Sequence, residues 1–495
     1  MLLGASLNFS TIRPVTLSPW LLGGVATALL LRLFRLDAAA IWLDETFTAS
    51  WVVMPWDEML SAALADNHLP LYFILVKAWT VIAGDSPWAL RFVSVVFSCA
   101  TVPTVAAIAF TLSGRAAAIW AIWLTALSPF LIHHGQEARM YPLLAFLAAV
   151  NLLLLARFVT GKSERLHVGY LFTNVAMLAT HYYAVFLIAV TFPILVILAR
   201  HRWRDWAPML ILSGICCIGP VLAAKYLATP VAGGNYEGIG LIGMPGMVWG
   251  LLTGYTLMPS SAELHRLGLR AILPYVPIVA LVLSLTTVAV ASALRTMPKP
   301  AWTLLLGVLG GVLLGPLAVS AVFEISINPR YATTGAPAFI ALLSAGLAAI
   351  TETRFGKGIA VALVVLISGA SLAHLADPGH GREDILAATK WLDQNIPKDE
   401  EILFTSQEFA LLSNYHWPKR HMTLYPATKK TIDQNNIQAI AENLPIGRKD
   451  RVFFVIGRDW TSDPHDLLES ELRSRFKDCG GTAVRGIRIL CLSNK

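Results

Sequence analysis

The 495-residue chain is short of charge: 14% of its residues are Asp, Glu, Lys or Arg, against about 25% in an ordinary soluble protein. With 56% hydrophobic residues gathered into long runs, that scarcity excludes a soluble globular chain and leaves an integral membrane protein. Nucleotide-binding machinery is missing too. No GxxxxGK[ST] phosphate loop occurs, which argues against an ATP-driven transporter. No basic stripe with interleaved aromatics is present, so nucleic acid is not a partner. The five cysteines show no CxxC metal spacing. Cys99 and the Cys216–Cys217 pair lie in apolar runs and read as packing residues. Cys479 and Cys491 share the polar tail and can pair if that tail lies in an oxidising compartment. There is no internal repeat and no low-complexity linker.

What is present is a series of apolar runs. A spanning helix needs about 20 mainly apolar residues, and eleven candidates follow: 15–35, 89–112, 116–132, 142–159, 168–180, 184–199, 208–227, 271–294, 301–322, 332–350 and 359–375. Arg13 followed by the first run, without a small-residue cleavage site, reads as an uncleaved signal anchor. The stretch 69–84 (LPLYFILVKAWTVIAG) carries Lys77 in its middle and is read as a helix in the membrane interface. This assignment places Arg115, Lys162, Arg165, Arg200, Arg202, Arg204, Arg295, Lys299, Arg354 and Lys357 in loops on the cytoplasmic side, as the positive-inside rule asks. The net charge of +7 therefore serves topology and contact with anionic lipid head groups. Arg139, Arg266, Arg270 and Arg330 fall outside. The segment 228–270, rich in Gly and Pro, reads as a long outer loop with a partly embedded helix at 240–258.

From Ala376 the composition changes. GREDILAATKWLDQNI and HDLLESELRSRF have helical spacing, whereas EILFT, RVFFVIG and GIRILCLS read as strands. The expected organisation is a polytopic all-α membrane domain over 1–375 and an extracytoplasmic soluble α/β domain over 376–495.

Every polar constellation with chemical potential falls on the outer face. Asp44 and Glu45 follow the first apolar run, bracketed by Trp42, Phe47 and Trp51. A charge at a bilayer centre costs about 2.5–3.5 kcal/mol even on insertion scales, so the pair belongs at the membrane edge. Asp57, Glu58, Asp66 and His68 lie in the same loop; Asp57 and Glu58 after Pro55 have the position of a helix start. HHGQEARMY (133–141) supplies His133, His134, Gln136, Glu137, Arg139 and Tyr141. His181, Tyr182 and Tyr183 form a third patch, and NPRY (328–331) holds Arg330 and Tyr331. Glycosyl transfer at an outer membrane face has no nucleotide to draw on, so the donor is a sugar on a lipid phosphate. An acceptor hydroxyl then needs a carboxylate base, for which Asp44 or Glu45 is the candidate. The leaving phosphate needs cationic donors, for which Arg139 and Arg330 are placed. A divalent cation bridging Asp44, Glu45, Glu137 and a histidine is a further option that no ligand spacing demands.

The ordered set WLDETFTAS, His68-Leu-Pro70-Leu-Tyr72 with Trp79 and Gly84, Ala89-Leu-Arg91, GQEARMYPL, THYY and NPRY resembles the GT-C glycosyltransferases. Within them it is similar to the bacterial branch related to dolichyl-phosphate-mannose protein mannosyltransferases and the lipid A aminoarabinose transferase. The resemblance covers roughly 15–350. Leu69 stands where relatives often carry the first of two prolines. The resemblance implies juxtamembrane helices in the first outer loop, a polyprenyl-phosphate-linked donor, an inverting transfer, and Asp44 as the base.

The expected protein is thus a multi-pass enzyme of the cytoplasmic membrane. It transfers a sugar from a polyprenyl phosphate to a cell-envelope acceptor on the outer face. Glu45 and Glu137 would orient acceptor or metal; Arg139, Arg330, His181 and Tyr331 would hold the donor phosphate; His68, Gln136 and Tyr141 would orient the acceptor. The alternative, a transporter or flippase of lipid-linked sugars, would place charges along a path through the bilayer; here they gather at one face.

Overall fold

The structure is a computed structural model. It describes residues 19–166, 168–226, 243–260, 263–264, 267–323, 328–425, 432–442, 451–457, 463 and 466–493. Arg13, Arg266 and the whole of VAGGNYEGIG (231–240) lie outside the described residues.

Each apolar run carries a helix. The first is α1 (Pro19–Leu33), and the loop after it folds into three short helices, α2 (Leu43–Val52), α3 (Trp56–Ala65) and α4 (Leu71–Ala83). Asp57 and Glu58 fill the first turn of α3, as a helix start requires. On α4, Lys77 buries its stem and donates to the carbonyls of Val52, at 3.0 Å, and Met54. The lysine thereby closes the end of α2.

The long helices follow: α5 (Pro87–Ser113), α6 (Arg115–Leu127) with the short α7 (Pro129–Gly135), α8 (Tyr141–Val159), α9 (Val168–Leu178), α10 (Ala184–Ala199) and α11 (Trp203–Tyr226). After α12 (Gly243–Thr253) come α13 (Val276–Thr296), α14 (Lys299–Phe323), α15 (Ala336–Ile350) and α16 (Arg354–Ala376). Among the described residues seven helical stretches are long and apolar enough to cross a membrane, or eight if α6 and α7, bent by 49°, make one span. One of these stretches, Ala184–Gly219, folds back on itself at Arg200–Arg202, because Val185 and Cys217 line the same groove. The segment 240–258 carries α12, packed against α7 and the 3-10 turn Pro329–Gly335.

Helix contacts in lipid depend on small residues and interhelical hydrogen bonds. On α14, Gly307, Gly311 and Gly315 lie one turn apart and face Ile194, Val190 and Phe186 of α10. A Cβ added at these glycines would come within 2.8, 2.4 and 2.5 Å of those side chains. Between α8, α9 and α11, Asn151 donates to Asn174 at 2.7 Å and Asn174 to Ser213 at 2.7 Å.

The tail builds α17 (Ile385–Asn395), β1 (Glu401–Phe404), α18 (Gln407–His416), β2 (His421–Leu424), α19 (Ile437–Glu442), β3 (Arg451–Gly457), α20 (Leu467–Arg475), β4 (Lys477–Val484) and β5 (Ile487–Ser493). The sheet order is β2-β1-β3-β5-β4, with β2, β1 and β3 parallel and β5 and β4 antiparallel. Helices cover both faces, which is why β3 reads as an unbroken apolar run. Ile402, Phe404, Phe453 and Val455 pack under α17 and α18; Leu403, Phe454 and Ile456 pack under α19 and α20. Cys479 and Cys491 form a disulfide between β4 and β5.

This α/β unit is docked on the loop between α1 and α5. Leu43 of α2 belongs to the apolar cluster under α17 and α18, and His416 donates to the Ile41 carbonyl at 2.7 Å.

Candidate active site

The site begins at the N-terminus of α2. Trp42 is extended, and Asp44 and Glu45 fill the first helical turn, where carboxylates complement the unpaired N–H groups. The helix then sends the two acids different ways. The Glu45 side chain is fully buried. Its Oε1 accepts from Arg91 Nε at 2.8 Å and from the Ala138 N–H at 2.7 Å, and its Oε2 accepts from Arg91 Nη2 at 2.6 Å. Arg91 also donates to the carbonyls of Leu36, Ala39 and Ala40. Glu45 therefore ties α2, α5, the 36–40 turn held by Arg91 and the 136–140 turn into one knot.

Asp44 keeps 18% of its side chain exposed, and its Oδ2 accepts from Arg330, itself 25% exposed. The Asp44 carbonyl accepts from Arg139 Nη1 at 2.9 Å. Arg139 Nη2 donates to His68 Nε2 at 2.6 Å, and His68 Nδ1 donates to the Asp66 carbonyl at 2.8 Å. Those partners hold His68 as the neutral Nδ1–H form. Burial and then Arg139 lower its pKa, against the opposing pull of Asp66. Trp51, Phe73 and Phe47 box the ring at 5.3, 5.9 and 6.0 Å. Arg139 Nε is buried without a hydrogen-bond partner among the described residues. The guanidinium thus retains one unspent donor.

The opposite wall is aromatic. The Arg330 guanidinium lies 5.8 Å from the Tyr141 ring. His181 stands 5.8 Å from Tyr141 and 5.5 Å from Tyr331, and Tyr331 stacks on Tyr183 at 3.8 Å. Burial, then the nearby His68, Arg330 and Arg139, drop the His181 pKa to about 3. It is therefore neutral, with Nδ1 accepting from the Tyr183 N–H at 3.1 Å.

A third group lies behind these. Glu137 is buried and accepts from His134 Nδ1 at 2.8 Å and from Arg382; His133 Nε2 is 3.3 Å away. Burial alone would raise its pKa, but His133 and Arg382 hold it well below the usual carboxylate range. His134 Nε2 faces the Tyr255 hydroxyl at 3.2 Å. Arg382 also lies 4.6 Å from the Trp42 ring, so the α/β unit's leading segment reaches the start of α2. Gln136 donates to the carbonyls of Leu31, Arg32 and Phe34 at 3.3, 3.2 and 2.9 Å and accepts from His374 at 3.1 Å. It caps α1.

Of the residues singled out in the sequence, Asp44, Arg330, Arg139, His68, Tyr141, His181 and Tyr331 converge on one contiguous cluster. Glu45, Gln136 and Glu137 are built into the fold around it. A cation site over Asp44, Glu45 and Glu137 is not assembled, because an arginine faces each of the three. Among the described residues the one candidate metal cluster is His133, His134 and Glu137, with donor atoms within 4.8 Å of one another; Arg382 already pairs with its carboxylate. Sequence reasoning gave no role to Arg91, Tyr255, His374 or Arg382. For Arg91 the signals were a lone arginine near the start of a long apolar helix and its place in the Ala89-Leu-Arg91 motif.

No protein-family model and no curated protein sequence matches the chain. Solved structures do. ArnT from Cupriavidus metallidurans bound to undecaprenyl phosphate superposes with a TM-score of 0.52 at 14% identity, over 95% of this chain and 98% of that one. The same protein in the apo state gives 0.54 at 13% identity, over 95% and 97%. The Archaeoglobus fulgidus oligosaccharyltransferase in complex with Zn and sulfate gives 0.48 at 12% identity, over 96% and 73%.

Proposed function

We propose that this chain, which has the GT-C glycosyltransferase architecture, moves a sugar from a polyprenyl-phosphate donor to an acceptor hydroxyl on the outer face of the cytoplasmic membrane. One observation carries the reading: Asp44 is a partly open carboxylate beside a partly open arginine, while its neighbour Glu45 is sealed in the interior. Undecaprenyl phosphate in the ArnT structure adds support for the class of donor.

In this reading Asp44 Oδ2 is the general base. It takes the proton of the acceptor hydroxyl as that oxygen attacks the anomeric carbon. The bond from that carbon to the phosphate oxygen breaks, its electron pair leaves with the phosphate, and the sugar's configuration inverts. Arg330 and Arg139 neutralise the departing phosphate, Arg139 with the donor that no protein group uses. Arg330 has two claims on it, since it holds Asp44 when no donor is bound. Phosphate entry would draw the guanidinium across and loosen its hold on the Asp44 carboxylate. Tyr141, His181 and Tyr331 form a neutral aromatic wall suited to the sugar ring. Glu45 and Glu137 fix the loops that carry Asp44 and Arg139.

The disulfide Cys479–Cys491 supports an oxidising compartment for the α/β unit, and the α/β unit touches α2. The basic turns at the far ends of the helices support the same orientation.

The test is release of polyprenyl phosphate from lipid-linked sugars by protein reconstituted in vesicles, with and without cell-envelope acceptors. Acceptor-dependent release is expected. No release from any polyprenyl-phosphate sugar, or release that Asp44→Asn leaves intact, overturns the proposal.

A further inference from the structure

We propose that the groove between α10 and α11 holds an acyl chain of an anionic phospholipid, with the lipid phosphate resting on the arginine-rich turn that joins the two helices. The arginine turn lies at the opposite end of α10 from His181 and Tyr183, and the groove runs from it toward Val185. Helix α10 starts at Ala184, beside His181 and Tyr183, and ends 16 residues on, about 24 Å away at 1.5 Å per residue.

The groove has a volume of about 420 Å³ and an almost wholly apolar lining that includes Val185, Phe192, Trp203, Trp206, Gly214 and Cys217. From Trp203 to Cys217 it follows α11 for about 21 Å, deeper than the ~15 Å hydrocarbon half of one leaflet. A chain entering at the turn can lie along it for its whole length. Gly214 keeps the floor open: a Cβ there would meet nothing within 4 Å.

The polar end has the matching charge. Arg200, His201 and Arg204 are exposed, with Arg204 over the Trp203 ring at 5.5 Å. Arg202 is committed elsewhere, donating to the carbonyls of Phe158, Ser163 and Glu164. The nearby acid, Asp205, is engaged by Arg202 at 3.6 Å and Arg165 at 4.0 Å. Two arginines therefore face outward beside Trp203, which is 55% exposed and has the amphipathic character of a membrane-interface residue. An anionic phosphate is favoured there over a zwitterionic head group.

The experiment is native mass spectrometry of the purified full chain titrated with phosphatidylglycerol or phosphatidylcholine in detergent. One phosphatidylglycerol should be retained in preference to phosphatidylcholine. Arg200→Gln with Arg204→Gln, both on the surface, should erase about tenfold or more of that preference. Gly214→Leu should block retention of both lipids, with circular dichroism confirming the fold. Millimolar inorganic phosphate should not displace the lipid. Equal retention of the two lipids, displacement by phosphate alone, or retention that both variants leave unchanged overturns the site.

Discussion

Asp44 and Glu45 are adjacent in sequence, carry the same charge and each face an arginine, yet the two sides of the α2 N-terminus are built for different work. Glu45 is fully buried and has donors on both oxygens from Arg91, with the Ala138 N–H besides. Asp44 meets Arg330 with both side chains partly exposed. A carboxylate saturated with donors in the interior is a strut, and its removal strands a buried guanidinium. A carboxylate that is paired with a partly exposed arginine and itself keeps 18% of its side chain exposed is within reach of a substrate. Proximity in sequence and likeness in charge do not predict likeness in role. The number of donors and the access of solvent do.

The contrast is open to attack at several points. The largest expected effect is on turnover. Asp44→Asn should slow sugar transfer by about 10²–10⁴-fold with the melting temperature unchanged; a variant that turns over at the wild-type rate removes the distinction. Next comes stability. Glu45→Gln should cost about 3–5 kcal/mol by leaving Arg91 buried and unpaired, read in detergent by thermal unfolding; wild-type stability would make Glu45 as dispensable structurally as Asp44. Arg330→Gln should raise the apparent KM for the lipid donor about tenfold to a hundredfold, measured at saturating acceptor, while leaving the fold intact. A drop in stability comparable with that of Glu45→Gln would class Asp44–Arg330 as a second strut.

The smallest effect is in the pH profile. His181 is neutral in the fold, with its pKa lowered from 6.5 to about 3, so the unfolded chain takes up its proton first as the pH falls. Its contribution is fully present above pH 6.5 and is lost between there and about pH 3. Glu137, held low, contributes above its ordinary pKa of 4.5 and is lost only below it. His181→Asn should therefore flatten the slope of stability between pH 6.5 and 4.5. The flattening is partial, because His68 and His416 are also lowered by burial. An unaltered slope would mean His181 meets solvent as Asp44 does.

The membrane part of the fold was legible because lipid forces apolar residues into continuous runs, and each run became a helix. In the tail, RVFFVIG and GIRILCLS are interior strands and announce themselves in the same way. Strands β2 and β4 do not. They are edge strands, HMTL with alternating exposure and KDCGGTAV largely exposed, so no apolar pattern marks them. At the site, Asp44, Arg139, Arg330 and the His181 patch were found because each lay between spans, where polar residues cannot be serving lipid. What the sequence hid was partnership. Nothing local to Glu45 tells that Arg91 is waiting for it, and nothing near Arg382 points to Glu137.

That last pair carries a consequence for how the protein is made. Glu137 and Arg382 are 245 residues apart, and synthesis at ~5–20 residues per second separates their emergence from the ribosome by tens of seconds. By the end of that interval the nascent chain has made most of its helices but still lacks the guanidinium that Glu137 pairs with and the helix that braces α2. A ribosome that stalls before residue 382 would leave a membrane-embedded product whose Glu137 is buried without its arginine. Assembly of the Asp44 cluster is thereby completed only when translation is nearly over.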